Sequence, residues 1–142
     1  MIWVAAVHCV ATLTLVGLIW FVQVVHYPLM AAVGDHRFRA YAHEHASRTS
    51  WVVTAPMLLE AATAIAMVVE PPAATVRPMV WVGLALLVLV WASTFGLQVP
   101  CHRRLASGFD PRVHRRLVRT NWIRTLAWTG RAPVAVAAVM MV

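Results

Sequence analysis

The sequence predicts an all-α integral membrane protein, a four-helix bundle of two helical hairpins with the N- and C-termini on the outer side. Three observations lead there. Of 142 residues, 61% are hydrophobic and 12% charged, with mean hydropathy +0.73, which is more apolar surface than a water-soluble domain of this size buries. Four runs reach the roughly 20 apolar residues that a hydrocarbon layer of about 30 Å requires. The charges gather between those runs.

The first span covers residues 2–25. It lacks a basic leader and a small-x-small cleavage site and is too long for a signal-peptide core, so it is expected to stay in the mature protein. The others cover 51–69, 79–99 and 121–142. A short Pro-rich turn over 69–78 carries Arg77 alone. The longer connections carry Arg37, Arg39 and Arg48, then Arg103, Arg104, Arg112, Arg115, Arg116 and Arg119. The positive-inside rule places both long loops in the cytoplasm, as expected for a bacterial cytoplasmic membrane.

Each long loop holds a helix-start signal, Gly34 before Asp35 and Gly108, Asp110, Pro111. Asp caps free N–H groups and Pro suits the first helical position, so the second and fourth helices begin near 35 and 110, outside the lipid. Arg112, Arg115, Arg116 and Arg119 share one face suited to anionic head groups. Net charge is +7, and all twelve cations are Arg. That balance points to a membrane surface and away from nucleic acid, whose binder would not place most of its chain in lipid. Cys9 and Cys101, with no CxxC, support neither a disulfide framework nor a cysteine zinc site. The halves are faintly alike: Trp20, Gln23, His26, Pro28 against Trp91, Gln98, Pro100, His102.

Strongly polar residues inside a bilayer are costly and each calls for a reason. Glu60 and Arg131 lie at comparable depth and are expected to form a structural ion pair, the competing role for Glu60 being proton coupling. A second cluster gathers at the cytoplasmic edge: Gln23, His26 and Tyr27 from the first helix, His43 and His45 from the second, Gln98 and His102 from the third, Asn121 and Arg124 from the fourth. Asn121, Arg124, Trp128 and Arg131 form one inward stripe. In an enzymatic reading His26, His102, Arg124 and Asn121 carry catalysis, as base and oxyanion-orienting groups. Gln23, Tyr27 and Gln98 then hold substrate under a roof of Trp20, Trp91 and Trp122. Neutral imidazoles of His26, His45 (or His43) and His102 also suit a metal ion, although no HExxH motif is present. Hydrogen bonding among interfacial histidines is the alternative. His8, near the outer end, reads as a local hydrogen-bonding residue.

Ser93-Thr94-Phe95-Gly96-Leu97-Gln98-Val99-Pro100-Cys101-His102, followed by Asn121-Trp122-Ile123-Arg124-Thr125, Trp128 and Arg131, resembles the anthrone oxygenase-like family of small four-helix membrane proteins. The likeness covers mainly the second half, and Cys101 and His102 stand where the family often has Asn after Pro. It implies four helices and oxygenation of a polycyclic aromatic substrate.

Three functions follow as expectations. One is an oxidoreductase or oxygenase taking a quinone- or anthrone-like lipophile. Another is an accessory or assembly subunit of a host membrane complex or homo-oligomer, and the third a small proton-coupled transporter using Glu60.

Overall fold

The computed structural model describes residues 1–142 and contains helices and no strand. Four long rods form: α1 (Ile2–Ala32), α2 (Asp35–Val69), α3 (Ala74–Leu105) and α4 (Pro111–Met140). The first three are long and apolar enough to cross a membrane. α4 departs from the expected fourth apolar span because Asn121, Arg124 and Arg131 lower its hydropathy. All three are buried, so its polarity is spent inside the bundle. α4 packs between α1 and α3, and α2 lies diagonally opposite, also against α1 and α3.

The two long helices after the Arg-rich loops start differently. Asp110 caps α4, its carboxylate accepting from the N–H groups of Arg112 (2.7 Å) and Val113 (3.2 Å), with Pro111 in the first turn. Those bonds to the ionised form hold the Asp110 carboxyl below the usual carboxylate range. α2 does not use Asp35 as its cap. Gly34 occupies that place, and Asp35 sits in the first turn, where its charge faces the positive helix end.

α1 and α3 each widen into one π turn, Val22–His26 and Thr94–Gln98, followed at once by Tyr27-Pro28 and Val99-Pro100. Proline lacks an N–H and crowds the carbonyl four residues back, and a wider turn relieves that clash. The likeness of the two halves thus has a structural counterpart, although Gln23 is the second residue of its π turn and Gln98 the last of the other.

Inside, apolar and polar layers alternate along the bundle. Ala5, Met67, Val76, Val80 and Ala138 pack at the end holding the termini. Leu15, Ile19, Met57, Val90, Ala127 and Trp128 fill the middle. Tyr27, Met30, Phe38, Ala42, Cys101, Leu105 and Leu117 close the Arg-rich end. Two polar layers lie between them.

Candidate functional site

The polar layer nearer the termini is a closed network. Glu60 and Arg131, 0% and 1% exposed, meet through Arg131 Nε and Glu60 Oε1 at 2.9 Å. Thr12 Oγ1 donates to Glu60 Oε1 (2.9 Å) and Trp128 Nε1 to Oε2 (3.0 Å). Arg131 Nη1 donates to the Gly83 carbonyl, and Nη2 lies 3.5 Å from His8 Nε2. His8 Nδ1 in turn bonds Thr63 Oγ1 at 2.9 Å. All four helices contribute, and of this network Trp128 alone borders the main cavity described below. His8 is therefore part of a global clamp, where the sequence suggested only a local bond. The i, i+4 spacing of His8 and Thr12 is the signal that marks their shared face.

The second polar layer pins α1 and α3 to α4. Asn121 Nδ2 donates to Gln23 Oε1 (2.9 Å), and Gln23 Nε2 donates to the Val118 carbonyl (3.2 Å). Gln98 accepts from Ser93 Oγ (2.9 Å) and donates to Thr120 Oγ1 (3.1 Å). Gln23 and Asn121 are spent on each other and do not line the main cavity. The inward stripe thus turns Gln23 and Asn121, expected as substrate-binding and catalytic groups, toward each other and not toward the cavity.

Above that layer the imidazoles meet two phenols. Tyr27 Oη lies 2.9 Å from His102 Nε2. His26 Nε2 lies 2.8 Å from His45 Nδ1 and 3.3 Å from Tyr41 Oη, and the His26 and His45 rings stack at 4.3 Å. A bond between two imidazole nitrogens needs one N–H and one lone pair, so at most one of His26 and His45 carries a charge. His26, His45 and His102 do come together, but their nitrogens face one another and the phenols. No group of three His, Cys, Asp or Glu side chains is arranged to hold a metal ion. His43 points to the exterior. His114, unforeseen, lies with Nε2 2.7 Å from the Tyr27 carbonyl and secures the end of the π turn.

A cavity of about 360 Å³ opens beside this cluster. Its apolar wall includes Leu15, Leu18, Ile19, Val53, Met57 and Trp128, and its polar end is made by Tyr27, His45, Gln98, His102 and Arg124. Exposed Ala46, Ser50 and Arg103 mark its mouth between α2 and α3. A narrower groove of about 210 Å³, lined by His26 and Arg48, lies on the other side of His45. Arg124 is 9% exposed, its Nε has no hydrogen-bond partner, and its guanidinium carbon sits 5.2 Å from the Trp128 ring centre. Asn121 Oδ1 is likewise without a partner.

The expected tryptophan roof is not there. Trp91 packs on Phe95 at 5.6 Å and Trp122 meets Trp20 edge-on at 5.6 Å, and none of the three lines the cavity. Trp122 follows Asn121 directly, and with Asn121 turned inward the next residue on a helix turns away. Trp128, one face-step further along α4, forms the aromatic wall. His26 lies behind His45, in the narrow groove. On α2 the i, i+4 spacing of Tyr41 and Thr49 about His45 is the signal that places them at the same cluster.

The chain matches no family model, no curated protein and no solved structure at a significant level.

Proposed function

We propose that this is an integral membrane protein that takes a lipophilic, aromatic small molecule into the cavity and acts on it by proton transfer at Tyr27 and His102. The observation that carries the reading is the cavity itself: an apolar chamber with a phenol, two imidazoles, an amide and a guanidinium converging at one end. Such an arrangement orients a lipophile by its oxygen atoms.

The membrane placement rests on the outer surface. Val10, Leu13, Val52, Leu59, Ile65, Val82, Val88 and Leu126 are all exposed, a patchwork that water does not tolerate. Trp3 and Trp81 ring one end; Trp20, Trp51 and Trp122 ring the other. Trp3 and Trp20 are separated along α1 by about 26 Å at 1.5 Å per residue, close to a hydrocarbon layer of about 30 Å. The Arg-rich end is then cytoplasmic, and the mouth between α2 and α3 opens at the head-group boundary.

The resemblance to anthrone oxygenase-like proteins supports a fused-ring substrate with an acidic CH₂ across the central ring from a carbonyl and conjugated to it. His102, bonded to Tyr27, takes the proton, and the resulting enolate oxygen lies toward Arg124. With dioxygen as oxidant, CH₂ plus O₂ gives C=O plus water. The test is anthrone oxidation by the purified protein in nanodiscs, followed by oxygen uptake and anthraquinone absorbance. A rate above that of empty nanodiscs, lowered in His102→Ala and Tyr27→Phe, is expected. Equal rates with and without protein overturn the oxygenation reading.

A further inference from the structure

The charge inventory of the cavity specifies its occupant more narrowly. The chain has five carboxylates, and none of them lines the cavity. Glu60 is spent on Arg131 and Glu44 on Arg48, while Asp110 caps α4. Arg124 faces the chamber nine-tenths buried, with Nε unpartnered, and what meets its cation is neutral: the Trp128 ring and the Tyr27 hydroxyl. A guanidinium does not escape burial by losing its proton, and one held out of water without a counter-charge is strongly disfavoured.

We infer that the cavity's ligand is an anionic amphiphile, an apolar body bearing one oxyanion that seats against Arg124. Tyr27 and His102, at the same end, offer further hydrogen-bonding groups to the same oxygen atoms. One unpaired buried cation matches one negative charge. Arg103, exposed at the mouth, attracts the same charge on the way in. This inference rests on the lipophile-binding reading above and narrows it to acids.

The experiment compares anthracene-9-carboxylate with its neutral partner 9-anthracenemethanol, read by energy transfer from Trp128 and the other tryptophans to the anthracene in nanodiscs. Val53→Trp, which fills the chamber, reports binding elsewhere. The carboxylate is expected to bind about tenfold or more tightly than the alcohol, as charge-assisted hydrogen bonds predict. Arg124→Gln should erase that preference, its helical circular dichroism and monodisperse elution showing that the variant is folded; Arg124→Lys should keep part of it. Equal affinities in the unmodified protein, or a preference that survives Arg124→Gln, overturn the inference and leave lipophile binding intact. If neither probe binds, both readings fail together.

Discussion

Gln23 on α1 and Gln98 on α3 occupy the π turns of their helices, and each reaches across to α4, through Asn121 at 2.9 Å and Thr120 at 3.1 Å. The relationship explains why both helices deform at the same level. Each π turn places a carboxamide where α4 can be gripped, and the one on α3, Gln98, also borders the chamber. Deformation, grip and cavity form one unit.

Gln23→Leu leaves the Asn121 amide buried with neither donor nor acceptor used by Gln23. A loss of about 1–3 kcal/mol is expected. Replacing Gln23 and Asn121 together by Leu should recover part of that loss, because no stranded amide remains. Thermal unfolding in mild detergent, followed by circular dichroism, checks it; an unchanged transition for Gln23→Leu argues against the grip.

Removing one partner of the Glu60–Arg131 pair leaves a bare charge in the bundle. Glu60→Leu and Arg131→Met should each destabilise by about 3–5 kcal/mol, and the double variant by clearly less than either. Equally severe losses in the double variant would show that Thr12, Trp128 and His8 depend on the charges themselves. Transport lost in Glu60→Gln with stability unchanged would restore the proton-coupling role.

Gly83 and Gly130 make opposite forecasts. A Cβ at Gly83 would lie 3.1 Å from Val134 Cγ1, on a β-branched side chain with little freedom to turn, beside the carbonyl that Arg131 holds. Gly83→Ala should cost about 1–3 kcal/mol by overpacking. At Gly130 the nearest atom is Leu86 Cδ1 at 3.3 Å, the mobile tip of a longer side chain. Gly130→Ala should be neutral or gain up to about 1 kcal/mol from helix propensity. Denaturant titration of both variants ranks them.

Asp110 provides a pH dependence whose sign is set by its cap bonds. Its folded pKa is depressed by the N–H groups of Arg112 and Val113, so its contribution is complete above the unfolded value of about 3.9. It is lost as pH falls through the lower folded value. Amide exchange at Arg112 and Val113 should therefore quicken relative to the rest of α4 in that window. Asp110→Asn keeps the cap and should remove the dependence, whereas Asp110→Ala should fray the helix start at neutral pH.

Much of this was legible in the residues. Helix number follows from four runs between Arg-rich and Pro-rich segments, because hydropathy and punctuation are local properties. The depth of Glu60 and Arg131 was countable along their spans, and their 2.9 Å contact needs only that two helices running the same way share an interior. The Tyr27, His45, Gln98, His102 and Arg124 gathering follows from alternate helix ends meeting on one side. Which of the polar residues face a chamber and which face one another was not legible. A helix presents Gln23 and Tyr27 on nearly the same side, and only the π turn decides that Gln23 grips Asn121 while Tyr27 borders the cavity.

By itself, then, the sequence determined the helices, their order, and the polar levels along them, since these depend on composition and spacing within one segment. Packing settles the rest: α4 spends its polarity inward, Trp128 and not Trp91 or Trp122 walls the chamber, and Arg124 is left without a counter-charge. Each of those depends on helix rotation about its own axis, which is set by packing against three neighbours at once and by two proline-linked π turns whose added residue shifts every side chain beyond them.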